Sequence, residues 1–225
     1  MIVIKFKKAV VALILSVIFV FLVVGVPAIV SASSPAPEFV VVLDAGHGGI
    51  DGGVVGVNSG ICERELNMII TYKVKALLEK RGIGVALTRD SGTGVETTIT
   101  KKQEDMRQRK EKIIKAAPDL VVSIHQNKFS SPNRRGAQAF FWADKTLADS
   151  LQAALNEKIN MPNQSREYSA LKGDYYILQC TDYPSALVEC GFLSSPLDEA
   201  LLITDEYQNK IAECICTGII NYLMA

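Results

Sequence analysis

Short apolar runs alternate with amphipathic helical segments along most of this chain, and this alternation constrains its fold more than any other feature. The runs at residues 39–43, 83–87 and 120–124 carry no charge and are rich in β-branched residues, which is typical of buried strands. From Arg64 to Gly82, apolar side chains recur at helical spacing. Strands that alternate with helices predict an α/β domain with a mostly parallel sheet and helices on both of its faces.

The rest of the chain continues this pattern. Residues 91–99 are predicted to form a loop, and a strongly charged helix follows and ends before Pro118. The apolar side chains predicted to face inward from that helix are Met106, Ile113, Ile114 and Ala117. The remaining predicted elements are a strand over residues 137–142, a helix over 147–159, short strands over 175–178 and 186–188, and a final helix after Thr204.

The start of the chain has the order of an export signal, with basic, then apolar, then small residues. Lysines precede an uncharged run over residues 9–30, and SASSPAPE follows it. The run is also long enough to cross a bilayer as a helix, which takes roughly 20 residues. Residues 1–34 are therefore predicted to be either a cleaved signal peptide or an N-terminal membrane anchor. In both cases the remainder lies outside the cytoplasm, because the basic end stays inside. Residues 35–38 are a linker, and residues 39–225 form one domain.

The charge balance bears on the class of partner, and the cysteine content bears on disulfides. The 24 basic and 24 acidic residues cancel, and no basic tract indicates a nucleic-acid partner. The 5 cysteines would suggest disulfides in an exported protein, but their odd number and their apolar surroundings favour reduced, mostly buried thiols. The sequence therefore assigns no particular disulfide.

Three chemically active side chains stand at the ends of apolar runs. They are His47 after VVVLDAG, His125 after LVVSI and Glu189 after ALV, and the chain has only 2 histidines. Because the carboxyl ends of parallel strands share one edge of a sheet, we expect the three to meet at the edge where α/β proteins bind ligands. Glu63 lies in CERELN, where a helix is predicted to begin a loop away from His47.

These residue types suit a hydrolytic metal centre. Two imidazoles and a carboxylate with one open position are the usual protein ligands of a catalytic zinc ion, which polarises an amide carbonyl and lowers the pKa of its water to about 7. Glu189 is suited to pass the proton of that water to the leaving nitrogen. Structural roles are the alternative: hydrogen-bonded histidines, and Glu63 or Glu65 as a solvated carboxylate at a helix N-terminus. Glu189 is harder to explain in this way, since a carboxylate in an apolar run needs a partner or a function.

Four motifs occur in order from residue 40 onward: DAGHGGIDGG, ERELN, SIHQN and ALVECGFLSSPLDEALL. They resemble the motifs of the zinc-dependent N-acetylmuramoyl-L-alanine amidases of the Amidase_3 family. The resemblance implies a twisted, largely parallel sheet of about six strands. It also implies hydrolysis of the amide bond between the lactyl group of muramic acid and L-alanine in peptidoglycan, which makes residues 39–225 the catalytic domain.

The same resemblance implies roles for individual residues. It implies that zinc is held by His47, Glu63 and His125 and that Glu189 is catalytic. Glu63 is preferred to Glu65 because the family's glutamate stands four residues before an asparagine, as Glu63 does before Asn67.

A narrower resemblance is to a compact, sporulation-associated branch of the family, the CwlD-type amidases. The segment RRGAQAFFW, the small size and the ending that contains YQNKIAECICTGIINYL carry it. In that branch the enzyme removes peptide from muramic acid so that muramic-δ-lactam forms in spore cortex, where germination enzymes recognise it. Some relatives act with an accessory lipoprotein. The resemblance implies the same partner and a site of action in the forespore intermembrane space or cortex.

Basic residues in the loops after the strands are candidates for substrate contacts. They are Lys128, Arg134, Arg135, Arg166 and Lys172. One or two of them are predicted to hold carboxylates of the stem peptide through charge-assisted hydrogen bonds. Arg135 and Asn127 are the predicted substrate-binding pair, and the sequence leaves open whether Asn127 orients the substrate carbonyl or His125.

Two other functions are compatible with parts of the sequence. A cysteine hydrolase would use Cys190 or Cys62 as its nucleophile and a histidine as its base, but it leaves one histidine and two glutamates without roles. A non-catalytic wall-binding module is the other alternative, and the four intact site positions argue against it. A serine hydrolase is set aside because the sequence has no G-x-S-x-G elbow.

Overall fold

The structure is a computed structural model that describes residues 37–90 and 102–225. Its strands are β1 (Val40–Ala45), β2 (Gly84–Leu87), β3 (Leu120–Asn127), β4 (Gln138–Phe141), β5 (Leu171–Lys172) and β6 (Ser185–Phe192). They form a 6-stranded sheet in the order β2-β1-β3-β6-β4-β5. Neighbouring strands are parallel, except that β4 runs antiparallel to β6. The predicted mostly parallel sheet is therefore confirmed.

Four of the described helices lie between strands in the chain, and the last two follow β6. They are α1 (Glu63–Glu79), α2 (Lys102–Ala116), α3 (Thr146–Leu155), α4 (Tyr176–Gln179), α5 (Pro196–Leu202) and α6 (Asp205–Leu223). A π-helical turn, Asn156–Asn160, continues α3. Two local signals place helix starts: Pro196 occupies the first turn of α5, and the Thr204 hydroxyl accepts a hydrogen bond from the Tyr207 backbone N–H at the start of α6.

The sheet has an apolar layer on each face, because successive strand side chains point to opposite sides. Val41 and Leu43 of β1 belong to the larger layer, which contains buried side chains of α1, α3 and α6. Val42, between them, belongs to the smaller layer with Ile113 of α2 and with α4. Helices therefore cover both faces, as the alternation of strands and helices predicts.

The carboxyl edge of the sheet carries the predicted site. His47 follows the end of β1 by two residues, and Glu63 is the first residue of α1. His125 and Glu189 were expected just beyond their strands, but they lie inside β3 and β6 and are direct register partners. These strands extend further than predicted because β6 pairs on both sides, with Glu189 also opposite Gln138 of β4.

Three local predictions were wrong. Residues 175–178 were expected as a strand, but Tyr176–Gln179 is helical and packs Ile177 and Leu178 into the smaller apolar layer. Four apolar or aromatic residues cannot be assigned to strand or helix by periodicity.

The other two wrong predictions concern α2, where Ile114 and Ala117 were expected to face inward. Ile114 is 52% exposed and Ala117 beyond it is also exposed, and the charged Arg109 is buried instead.

Some predictions fall outside the described residues, namely the N-terminal segment 1–34 and the loop 91–99. Among the residues that are described, no helix has the length and apolarity needed to cross a bilayer. All five cysteines are free, and four of them are buried, which agrees with the predicted thiols.

Candidate metal centre

Both histidines of the chain converge on one carboxylate. His47 Nε2 lies 3.2 Å from Glu63 Oε2, and His125 Nδ1 lies 2.9 Å from Glu63 Oε1. One ligand atom from each of the three side chains can be chosen so that all lie within 4.8 Å of one another. Atoms that share a tetrahedral zinc at about 2.0–2.2 Å are about 3.4 Å apart, so this donor set fits such an ion after small adjustments.

Glu63 is held in place by neutral donors as well as by the imidazoles. Its Oε1 accepts the Gln126 backbone N–H at 3.0 Å, and its Oε2 accepts the Val54 backbone N–H at 2.9 Å. The Asn67 amide, one turn along α1, donates to Oε1 at 3.3 Å and to the Gly46 carbonyl at 3.0 Å. The carboxylate therefore has a fixed orientation, and Asn67 links it to the loop that carries His47.

The electrostatics of the three side chains favour ligation by the carboxylate. Burial alone would raise the pKa of Glu63, but hydrogen bonds and charge from the two imidazoles hold that pKa well below its usual range. Burial lowers the pKa of His47, whereas Glu63 and Asp51 raise it, and the net effect is an increase. Asp51 Oδ2 lies 2.9 Å from His47 Nδ1, the ring nitrogen that faces away from Glu63. A carboxylate at that position orients a ligand histidine.

The β1–α1 loop passes unusually close to the site. His47 has φ 60, a left-handed conformation that is rare for residues other than glycine. A Cβ on Gly46 would lie 2.2 Å from the His125 ring, and one on Gly53 would lie 2.5 Å from Glu63 Oε2. Glycine at these two positions lets the backbone wrap around the side chains of His125 and Glu63.

A buried guanidinium group holds this loop from the α2 side. Arg109 Nη1 donates to Asp44 Oδ1 at 2.6 Å and to the Ala45 carbonyl at 2.8 Å, while Nη2 donates to the His47 carbonyl at 2.5 Å. Arg89 Nε donates to the same Ala45 carbonyl at 2.7 Å. The left-handed backbone of His47 is thus fixed through its own carbonyl oxygen, and the cost of such a conformation, about 1–3 kcal/mol, is offset by these contacts.

Asp44 balances the charge of Arg109. Its carboxylate also accepts hydrogen bonds from the hydroxyls of Thr88 and Ser123, both at 2.5 Å. Burial raises the pKa of Asp44, but Arg109 and the two hydroxyls outweigh this effect and lower the pKa to about 2. The pair is buried, and removing Arg109 would leave the Asp44 carboxylate without its cation, whereas Arg109 has a second anionic partner in Asp105 at 2.9 Å.

Glu189 has a different environment. It is 7% exposed, and its Oε2 has no hydrogen-bond partner among the described residues. Burial raises the pKa of Glu189 to about 7; His125 opposes this shift, and the Glu63 carboxylate adds to it. The side chain is thus close enough to both residues to interact electrostatically, and it can bind or release a proton near neutral pH.

A cavity of about 240 Å³ opens beside the two imidazoles. Its walls include His47, His125, Arg109, Tyr175 and Tyr176. The Tyr175 ring packs edge-on against Phe140, with centroids 5.5 Å apart. The cavity opens toward the two imidazoles between the β1–α1 loop and the segment that leads into α4.

The two predicted substrate-binding residues have other contacts. Asn127 Oδ1 accepts the Lys128 backbone N–H at 2.7 Å, and Arg135 Nε donates to the buried Asp198 carboxylate at 3.0 Å. Neither side chain lines the 240 Å³ cavity. Their role in binding substrate stays a prediction.

Asp44, Asp51 and Arg109 were not predicted as parts of the site from the sequence. Arg109 could have been noticed, because it stands three residues after Met106 and four before Ile113, which is the spacing of the inward face of α2. A buried position for an arginine within a helix implies an anionic or carbonyl partner. The partner itself is more than sixty residues away in the chain, and local pattern cannot identify it.

Comparisons with known proteins agree with this geometry. The family model "N-acetylmuramoyl-L-alanine amidase" (Amidase_3) matches residues 41–221. The germination-specific N-acetylmuramoyl-L-alanine amidase of Bacillus subtilis is 34% identical over 84% of this chain and 82% of its own length.

Two solved structures have the same fold. The CwlD amidase of Clostridioides difficile, solved in complex with the GerS lipoprotein, aligns with a TM-score of 0.75 and 35% identity over 83% of this chain and 99% of that one. The amidase AmiC2 of Nostoc punctiforme aligns with a TM-score of 0.72 and 30% identity over 83% of this chain and 98% of that one. With the fold, the convergent side chains and a family match over most of the domain in agreement, this chain belongs to the N-acetylmuramoyl-L-alanine amidase family.

Proposed function

We propose that this protein is a zinc-dependent amidase that removes stem peptides from peptidoglycan, with His47, Glu63 and His125 as metal ligands and Glu189 as the acid–base residue. Amidase chemistry on peptidoglycan follows from family membership. The observation that carries the zinc assignment is the approach of two imidazoles to opposite oxygens of one buried carboxylate, at 3.2 and 2.9 Å.

The residues fit zinc better than other common ions. Two nitrogen donors and one oxygen donor are the ligand set of hydrolytic zinc sites, whereas magnesium and calcium take mainly oxygen donors. When bound, zinc supplies Lewis acidity at the amide carbonyl and a water of lowered pKa. Asp51 orients the imidazole of His47, and Arg109 fixes the backbone of the same residue.

Glu189 is proposed to move the proton. Its unpartnered Oε2 accepts a proton from the attacking water and then donates it to the nitrogen of L-alanine as the C–N bond breaks. The products are the lactyl carboxylate of muramic acid and a peptide with a free amino group. A pKa of about 7 allows both halves of this transfer near neutral pH.

The cysteine alternative has little support. Cys190 is fully buried, and burial raises the pKa of its thiol further from the range in which a thiolate forms. The non-catalytic alternative would leave the intact ligand set and the unpartnered Glu189 without a purpose.

We further propose that the enzyme acts outside the cytoplasm in the spore cortex, on the path to muramic-δ-lactam. The support is similarity to the germination-specific amidase and to CwlD, together with the basic and apolar start of the chain. Because that CwlD structure contains a lipoprotein, an accessory lipoprotein is a proposed partner here as well. The N-terminal segment, if retained, would hold the enzyme at a membrane.

Product analysis tests the reaction. Purified protein with zinc should release peptides that begin with a free L-alanine from peptidoglycan, as measured by mass spectrometry. EDTA should stop the release, and added zinc should restore it. Activity that survives complete removal of metal would contradict the proposal.

The biological setting needs a separate experiment. Cortex from sporulated cells that lack this gene should contain no muramic-δ-lactam, and the wild-type gene should restore it, whereas a gene encoding Glu189→Gln should not. Normal lactam content in the deletion strain would refute the cortex role and leave the amidase reaction untouched.

A further inference from the structure

We propose that a cationic pocket at the carboxyl edge of the sheet binds a carboxylate of the stem peptide, a few residues away from the bond that is cut. This inference rests on the proposed amidase function. The pocket has a volume of about 270 Å³ and is lined by Arg134, Arg135 and Arg166, with Tyr168 and Ser165 beside them. We call it the Arg134–Arg166 pocket.

The charge in this pocket is only partly compensated. Arg135 is neutralised by Asp198, whose carboxylate is 2% exposed and also accepts the Gly136 backbone N–H at 2.8 Å. Arg134 and Arg166 pair with no carboxylate in the part of the chain that the structure describes. Two guanidinium groups that share one pocket without an anion favour an anionic ligand.

Aromatic rings fix the first of these guanidinium groups. The Arg134 Cζ lies 5.3 Å from the Phe129 ring centroid, 5.2 Å from that of Tyr168 and 5.9 Å from that of Phe192. Its Nε is buried and has no hydrogen-bond partner among the described residues. A guanidinium held by three rings loses little freedom when it binds, so its remaining hydrogen-bond capacity is available to a ligand.

Tyr168 connects the two cations. The Arg166 Cζ lies 5.8 Å from the Tyr168 ring centroid, so both guanidinium groups approach the same ring. The Tyr168 hydroxyl donates to the Arg135 carbonyl at 2.8 Å, which anchors the ring, and it also interacts with Arg134. The planar guanidinium matches the two oxygens of a carboxylate, which makes a carboxylate the natural ligand.

The position of the pocket suits a peptide that extends from the metal centre. The loop between β3 and β4 carries Arg134, and the segment after the π-helical turn carries Arg166. Both lie at the carboxyl edge of the sheet, as the metal centre does. Phe192, which contacts Arg134, pairs with Asn127, two residues beyond the partner of Glu189 on β3, because β6 has a bulge there; this is about 7 Å along the sheet.

That distance selects part of the substrate. An extended peptide advances about 3.3–3.6 Å per residue, and the Arg134 guanidinium lies 5.9 Å from the Phe192 ring centroid, so a group bound by Arg134 belongs to a residue at least about two positions from the cut amide. Stem peptides carry free carboxylates on their acidic residues and at their C-terminus. The pocket therefore selects a substrate whose stem is long enough and still ionised. In this proposal Arg134 and Arg166, rather than Arg135, contact the stem carboxylate.

Binding measurements test this without depending on turnover. The parent protein is the full chain with Glu189→Gln and bound zinc. The ligands are two muramyl tetrapeptides, one with free stem carboxylates and one with every carboxylate converted to a carboxamide. By calorimetry, the carboxylate form should bind at least about tenfold more tightly, the effect of one charge-assisted contact. Adding Arg134→Gln and Arg166→Gln should abolish this preference.

Control variants separate binding from folding. Arg81→Gln removes one exposed positive charge at the far end of α1 and should leave the tenfold preference unchanged. Arg166→Gln alone removes an exposed side chain, so it should fold normally and should reduce the preference in part. Circular dichroism checks the fold of every variant.

Two results would overturn the proposal. One is equal affinity of the parent protein for both ligands, and the other is a preference that survives the double substitution. Failure of the proposed function has a different signature, because wild-type enzyme with zinc would then release no L-alanine-initiated peptide from either substrate, whatever its binding preference.

Discussion

Glu63 and Glu189 are both buried at the candidate metal centre, yet they differ in nearly every contact. The oxygens of Glu63 accept backbone N–H groups and face two imidazoles, and these contacts hold its pKa well below its usual range despite burial. Glu189 has one oxygen without a partner, and burial raises its pKa to about 7. We call these two surroundings the Glu63 side and the Glu189 side.

The different environments of Glu63 and Glu189 suit two different chemical roles. A carboxylate that stays ionised at all working pH values is suited to hold a metal ion permanently. A carboxylate with a pKa near neutrality is suited to accept and return a proton. Opposite environments for two residues of the same type therefore predict their roles better than residue type does.

The largest effect is expected on the Glu63 side. Glu63→Gln should reduce bound zinc from one ion per chain to nearly none and abolish amidase activity, because a neutral amide is a poor ligand and cannot accept hydrogen bonds from both imidazoles. Elemental analysis after dialysis measures the metal. Glu65→Gln, an exposed neighbour in the same helical turn, is the control and should keep its zinc. A Glu63→Gln variant that keeps one zinc ion per chain would contradict the assignment of metal binding to the Glu63 side.

On the Glu189 side, turnover should fall while the metal remains. Glu189→Gln should lower kcat by at least ~100-fold, as is typical when an acid–base group is removed. Zinc content and thermal stability should match those of the wild type, since the substitution removes only a buried group with an unpartnered oxygen. A variant within a few-fold of wild-type kcat would assign the proton transfer to another residue.

A smaller effect should follow from the contacts behind the Glu63 side. Arg109→Lys keeps the positive charge but loses the planar fork that reaches Asp44 and the His47 carbonyl together. We expect zinc to bind about 10–100-fold more weakly, the usual loss when a group that supports a ligand is altered. Competition with a chelating dye measures this affinity.

Arg107→Lys is the matched control for that experiment. Arg107 lies on the same helix, but its guanidinium is exposed and contacts the glutamates at 104 and 111. The zinc affinity of the Arg107→Lys variant should equal that of the wild type. If both lysine variants bound zinc equally well, the backbone of His47 would not depend on Arg109.

The smallest effect is expected from the thiol beside Glu189. Cys190→Ala should leave kcat/KM within about twofold of wild type and leave the sensitivity to EDTA unchanged, because a fully buried thiol is chemically inert. Steady-state assays with and without chelator measure both quantities. An inactive Cys190→Ala variant with normal zinc content would support the cysteine-hydrolase hypothesis.

The apolar pattern predicted most of the fold. β1, β3 and β6 are buried runs of apolar residues, and α1 and α6 have apolar faces at helical spacing, so their sequences determine both type and position. Prediction failed where an element is too short to show a period. Tyr176–Gln179 has four residues, and Leu171–Lys172, a two-residue strand with exposed side chains, was not predicted at all.

For the site, the position of a residue in the predicted topology identified the main candidates, but the contacts between side chains could not be predicted. The carboxyl-edge rule and the family resemblance selected His47, Glu63, His125 and Glu189. The supporting pair of Arg109 and Asp44 was missed because the two residues are distant in the chain. A local pattern shows that a charged residue is buried, but it does not show which group compensates it.

The pairing of His125 with Glu189 has a consequence for how this protein becomes active. The two residues sit opposite each other on β3 and β6, so a slip of one residue would turn one of them to the wrong face of the sheet. The four side chains also come from segments that run from β1 to β6, so they meet only after contacts between residues distant in the chain have formed. Neither an incomplete chain nor a misregistered intermediate would hold the complete set of four side chains, so hydrolytic activity is withheld until the whole domain has matured.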